Sequence, residues 1–172
     1  MYILGDIGNT ETKIWLVSKK NHIIKKINFS SKEVTNYKLS KIFKKYNFKF
    51  KDIEKILFCS VVPPTFNLIK KFLSKKTNNK CYEVKSLSLK SLIKIKVDYK
   101  QVGSDRITNA ISLMNNKNNF IILDFGTATT FDVLVQNTYY GGIIAPGVKL
   151  SLNSLSDKAT LIPRINLKKI TK

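Results

Sequence analysis

The sequence predicts an α/β protein of two related units, each a mixed β-sheet flanked by helices, with the second unit incomplete. Three observations predict it. Residues 2–17, YILGDIGNTETKIWLV, resemble residues 120–135, FIILDFGTATTFDVLV. Between the two copies, short apolar runs alternate with segments of helical period. The second copy begins 118 residues after the first, which leaves it 54 of the chain's 172 residues.

Each copy reads as an apolar run, then Asp-x-Gly-[Asn/Thr], then a Thr-containing bridge and a second apolar run. Asp6 thus matches Asp124, Gly8 matches Gly126 and Thr12 matches Thr130. Short runs rich in Ile, Leu, Val and aromatics, bounded by turn residues, predict β-hairpins. Glycine at the turn permits positive φ and lets a backbone or a phosphate approach closely. Thr and Asn add hydroxyls and amides, and a turn with free N–H groups suits anionic oxygens. An Asp at the strand end can hold a cation, or its waters, between phosphates. One such turn says little, because many hairpins share it. Two copies in matching contexts predict a pair of loops that grip a polyphosphate from both sides.

The remaining elements follow in order. Residues 22–29, HIIKKINF, predict a third strand, and His22, the only histidine, is expected at the surface and not as a ligand. Val34, Tyr37, Leu39, Ile42, Phe43 and Tyr46 follow a helical period, with Ser31 as the candidate start. Residues 55–62 predict a buried strand stopped by Pro63-Pro64, since proline lacks the donor a central strand needs. Residues 65–74 predict a short amphipathic helix with Phe66, Ile69, Phe72 and Leu73 inward, and residues 81–84 another strand.

Residues 86–102 are a lysine-rich connector with a candidate strand at 92–97. Beyond it, Ile107, Ala110, Ile111 and Met114 are spaced for one helix face. Ser104 or Gly103 is the expected N-cap. Asp105 in the first turn suits the positive helix end. Arg106 does not, so an ion pair or an anionic ligand is expected for it. In YYGGIIAPG, 139–147, the Gly-Gly and Pro-Gly pairs are turn signals around a short strand. Leu150, Leu152 and Leu155 suggest a final helix ended by Pro163.

Composition narrows the function. Hydrophobic residues at 43% and charged residues at 24% describe an ordinary globular protein. No apolar run approaches the roughly 18–20 residues that span a bilayer, and the N-terminus does not read as a signal peptide, so a cytoplasmic protein is expected. The net charge of +20 invites a nucleic-acid partner. However, 29 of the 31 basic residues are lysine, whereas arginine is favoured for bidentate base and phosphate recognition. The lysines are dispersed and read as a compositional bias. Cys59 and Cys81 form neither a disulfide framework nor a metal cluster, and Cys59, inside KILFCSVV, is expected to be a small core residue.

Six segments in order carry a family resemblance: DIGNTETK at 6–13, SVVP at 60–63, GSDR at 103–106, DFGTATTFD at 124–132, GGIIAPG at 141–147 and ATLIP at 159–163. With them the whole chain resembles the type III pantothenate kinases, which share the actin-like (ribonuclease H-like) fold of acetate and sugar kinases, actin and the Hsp70 ATPase. The resemblance implies a first domain over residues 1–102 and the start of a second over 103–172. It implies a first phosphate loop of Asp6, Gly8, Asn9, Thr10 and Lys13, with Asp6 near the Mg²⁺–phosphate group. It implies ATP contacts at Gly126 and Thr127, and a monovalent cation, K⁺ or NH₄⁺, at Asp124. Gly103, Ser104, Asp105 and Arg106 resemble the pantothenate-binding segment, with Asp105 as the general base. A homodimer is also implied.

One departure matters. The family's second domain runs on past this chain's last residue, through a Gly-rich adenosine segment and a pantothenate-contacting Thr that are not found here. A truncated product, a split subunit and an inactive remnant all fit that pattern. Two other functions remain open on the same residues: a kinase of another small hydroxy or carboxylic acid, and a regulatory nucleotide-binding protein without turnover.

Overall fold

Alternation of apolar residues puts one face of each N-terminal strand into a core. The computed structural model describes residues 1–159 and 162–163, so Thr160 and Leu161 of the ATLIP segment lie outside the described residues. By its internal contacts the chain forms two units. One comprises Met1–Leu92 with Lys100–Asn109, the other Ile93–Tyr99 with the residues from Ala110 onward.

In the first unit, β1 (Tyr2–Ile7), β2 (Glu11–Val17), β3 (Ile23–Ser30), β4 (Lys55–Ser60) and β5 (Cys81–Glu83) form one sheet in the order β3-β2-β1-β4-β5. β1, β2 and β3 pair antiparallel, while β1–β4 and β4–β5 are parallel. Ile3, Ile7, Ile14, Leu16, Ile56 and Phe58 point from the sheet into the core. Helices α1 (Asn36–Lys45) and α2 (Pro63–Thr77) bury Leu39, Phe43, Phe66, Ile69, Phe72 and Leu73 in the same core. Stacking of Phe43 on Phe72, with centroids 5.4 Å apart, joins the two helices.

Two expectations change here. The α1 helix starts five residues beyond Ser31. Thr35 is its N-cap, with a side chain that accepts the Lys38 N–H, because the buried Ser31 is bonded elsewhere. Pro63 and Pro64 do not merely stop β4. They occupy the first turn of α2, where a missing N–H costs nothing and the fixed φ suits a helix.

In the second unit, β6 (Lys94–Ile95), β7 (Asn119–Phe125), β8 (Ala128–Val135) and β9 (Thr138–Pro146) form a sheet in the order β6-β9-β8-β7. β7–β8–β9 is an antiparallel meander and β6 joins β9 in parallel. The strand expected at 92–97 is thus reduced to two residues. Gly141-Gly142 is not a turn. β9 runs straight through it, and Gly141, at φ +90, sits beside a register shift between Val133 and Leu134, which marks a bulge. Helix α4 (Val148–Lys158) follows and buries none of its residues. Helix α3 (Ser104–Leu113) carries the division between the units within it. Among the described residues no helix is long and apolar enough to cross a membrane.

Candidate active site

Strand parity builds the first half of the site. Ile3 and Ile7 of β1 face the core, so Asp6 faces the other way. Asp6 is in register with Lys13 on β2 and with Cys59 on β4, and the three side chains share that face. The Cys59 thiol donates to Asp6 Oδ1 at 3.4 Å. Its pKa is pushed up first by burial, then by the negative charge of Asp6 and by that of Asp105, while a hydrogen bond with Thr108 acts in the opposite sense. Cys59 therefore stays a neutral donor at neutral pH. It is not the simple core residue the apolar run suggested, because Ile56 and Phe58 take the core-facing parity of β4. Cys59 bonds Asp6, and the next residue of the chain, Ser60, bonds Ser104, the neighbour of Asp105, so the end of β4 links Asp6 to the start of α3.

Helix α3 carries Asp105 in its first turn. Ser104 is 1% exposed, and its Oγ accepts the backbone N–H of Ser60 at 2.9 Å, which docks the helix start on the end of β4. Ser104 is thus not the N-cap. Gly103 precedes the first helical residue, and its carbonyl accepts the Ile107 N–H at 3.3 Å. Asp105 Oδ1 accepts the Arg106 N–H at 2.8 Å and folds back over Gly103, where a Cβ would come within 2.3 Å of it. Arg106 is buried, which requires its charge to be compensated.

The first loop, Gly8-Asn9-Thr10, is closed by the Gly8 N–H donating to the Glu11 carbonyl at 3.1 Å. Asn9 and Thr10 are exposed. The Lys13 ammonium lies 3.9 Å from the Glu11 carboxylate.

The second loop belongs to the other unit. Asp124 and Thr130 are register partners across β7–β8. The Gly126 N–H donates to Ala128 at 2.9 Å, and the Gly147 N–H to Thr127 at 3.0 Å. Asp124, Gly126 and Thr127 are exposed. Neither Gly8 nor Gly126 uses positive φ, since Gly141 is the only glycine that does. Gly147 has a different reason: a Cβ there would lie 2.3 Å from the Gly126 carbonyl.

The residues fit the implied cations. The Thr130 hydroxyl is buried without a hydrogen-bond partner on the face it shares with Asp124, a donor set suited to an oxygen-coordinated monovalent cation. Among the described residues no group of three or more His, Cys, Asp or Glu could hold a metal. Asp6 would offer Mg²⁺ a carboxylate, in keeping with an ion bound mainly through phosphates and water. Sequence reasoning passed over Cys59, and also Ser31 beneath the first loop. The polar ends of β3 and β4, each next to a loop, were the available signal.

The family model described as type III pantothenate kinase matches residues 2–172. A type III pantothenate kinase from Pelagibacter ubique (strain HTCC1062) is 63% identical over 169 residues, covering 98% of this chain and 68% of the relative. One from Desulforapulum autotrophicum is 32% identical over 174 residues, covering 97% and 66%. The chain thus spans about two thirds of the length of these curated relatives. Among solved structures, a Campylobacter jejuni protein assigned to the Baf family of transcriptional activators superposes with a TM-score of 0.54 at 19% identity, covering 99% of this chain and 68% of that one. A Sinorhizobium meliloti protein assigned as a 2-dehydro-3-deoxygalactonokinase gives 0.50 at 8% identity, covering 94% and 58%. At these identities the structures speak to the fold alone, two mixed sheets flanked by helices.

Proposed function

The chain belongs to the type III pantothenate kinase family, and from that premise we propose that it transfers the γ-phosphoryl group of ATP to pantothenate, giving 4′-phosphopantothenate at the start of coenzyme A biosynthesis. The observation that carries this reading is the end of β4, where Cys59 bonds Asp6 at 3.4 Å and the adjacent Ser60 docks Ser104, the neighbour of Asp105, at 2.9 Å. One carboxylate stands at a phosphate loop, and a second stands within its neighbourhood on a separate helix. Phosphoryl transfer needs that pairing, with one acid at the phosphate end and one at the acceptor hydroxyl.

In this reading Gly8, Asn9, Thr10 and Lys13 bind ATP phosphate, and Gly126 and Thr127 are further ATP contacts, as the family implies. Mg²⁺ bound near Asp6 and K⁺ or NH₄⁺ bound near Asp124 would offset phosphate charge. Gly103 to Arg106 hold pantothenate. Ser104 contributes through its backbone and by docking α3, since its hydroxyl is engaged with Ser60. Arg106 supplies positive charge for the pantothenate carboxylate. Asp105 accepts the proton of the substrate's primary hydroxyl as that oxygen attacks the γ-phosphorus. The bond from the γ-phosphorus to the bridging oxygen breaks, and ADP leaves. A homodimer acting in the cytoplasm completes the reading, both features being taken from the family.

Asp105→Asn tests it. A general base contributes about 10²–10⁴-fold, so kcat should fall by that order while ADP affinity stays near wild type, as read by coupled assay and calorimetry. Equal loss of both would remove Asp105 from the base role. Absence of phosphopantothenate from wild-type reactions containing ATP, Mg²⁺ and K⁺ would remove the function.

A further inference from the structure

We propose that Ser31 is a positioning residue for the first phosphate loop, acting through a buried knot of hydroxyls formed by Thr12, Ser31 and Thr65. The inference rests on the kinase reading above and extends it to residues that touch neither substrate.

Asn9 and Thr10 are exposed, and the turn between β1 and β2 is closed by the Gly8–Glu11 backbone bond. Ser31, the residue after β3, ties this loop to the sheet. Its N–H donates to the Thr10 carbonyl at 3.0 Å. Its Oγ lies 2.8 Å from Thr12 Oγ1, in the residue pair where the loop re-enters β2. Its own carbonyl accepts the Thr65 hydroxyl at 3.4 Å, and Thr65 stands in the first turn of α2, just beyond the SVVP segment. One serine therefore ties the loop to the rest of the first unit from two sides.

Burial shows that the knot is a directed arrangement. Thr12 is 0% exposed, Ser31 6% and Thr65 9%. Buried hydroxyls are tolerated only when bonded, and valine would fill the space of Thr12 with equal β-propensity. What the hydroxyls add is direction: they fix the Thr12 rotamer and seat Ser31, whose backbone N–H holds the Thr10 carbonyl. A loop whose N–H groups are already aimed does not spend binding energy on ordering them. The second copy lacks this device, since Thr130, the counterpart of Thr12, has a buried hydroxyl without a partner.

The test uses the full chain with Thr12→Val, Ser31→Ala, their double variant and Thr12→Ser, which keeps the hydroxyl. KM for ATP and for pantothenate, calorimetric Kd for Mg·ADP and the thermal midpoint are measured on each. Thr12→Val and Ser31→Ala should each raise KM for ATP and Kd for ADP about tenfold, the worth of one directed hydrogen bond. KM for pantothenate should stay within about twofold, and Thr12→Ser should restore nucleotide affinity. Because the pair shares one bond, the double variant should be little worse than the weaker single one. Unchanged nucleotide affinity, or both KM values rising together in step with a falling thermal midpoint, would overturn the proposal. If the wild type binds ADP without turnover and the variants lose that binding, the positioning role stands and the kinase reading falls. If the wild type binds no ADP, both fall.

Discussion

Gly126 is a residue the fold does not require. Its φ is not left-handed, and a Cβ there would meet only the Ala128 carbonyl at 3.5 Å. Alanine at a compatible φ usually stabilises a protein by about 0.4–1 kcal/mol, through the unfolded chain. If the space above Gly126 belongs to a phosphate, Gly126→Ala should leave stability equal or higher by that amount while ADP affinity falls about tenfold. Urea unfolding and calorimetry on the same sample give the two signs. Equal affinity would show that the glycine serves the chain alone. The sequence marked this position through the repeat. It could not say that Gly147 stands against the same loop for a purely steric reason, because that contact joins residues some 20 apart. Nor could it say which way Cys59 points. Apolar neighbours suggested the core, but the parity of β4 turns the thiol to Asp6.

At the scale of elements, strands and helices were legible where period and turn chemistry agreed. The hairpin at 2–17 and the face of Phe66, Ile69, Phe72 and Leu73 in α2 are found, and the strand expected over 55–62 is found ending two residues earlier, at Ser60. Helix starts were less so. Ser31 and Thr35 are both able to cap a helix, and Thr35 does so because the Ser31 hydroxyl is bonded to Thr12. Thr35→Ala should therefore cost about 1 kcal/mol, the usual value of an N-cap, measured by urea denaturation. A negligible change would mean that the α1 start is held by packing instead. At the other end, Lys25 on β3 donates to the carbonyls of Tyr46 and Asn47, where a cation meets the negative helix terminus. Gly141-Gly142 was misread for a related reason. A glycine pair signals a turn locally, whereas here the flanking β8 ladder keeps both residues in one strand.

At the scale of the molecule, the second unit displays an apolar sheet face. Ile121, Leu123 and Phe125 alternate along β7, with Phe131 and Val133 beside them on β8 and Ile143 on β9. Ile121, Phe125 and Ile143 are 67–70% exposed. Contiguous apolar surface of this kind promotes association, even on a chain of net charge +20. Ile121→Thr combined with Ile143→Thr should lower light scattering at high concentration, with little change in the thermal midpoint. A large loss of stability with unchanged scattering would show that these side chains are packed in solution.

The sequence by itself determined the α/β class, the duplicated hairpins and the order of the elements, and it marked the segments proposed here to carry the site. Those follow from periodicity and turn residues, which act over a few positions. Only the tertiary structure decided that Cys59 turns to Asp6, that Ser104 docks the start of α3 on β4 and does not cap it, and that Ser31 lies beneath the first loop. Each of these contacts joins residues that are far apart along the chain. They are fixed by strand register and helix docking, and a local pattern carries no information about either.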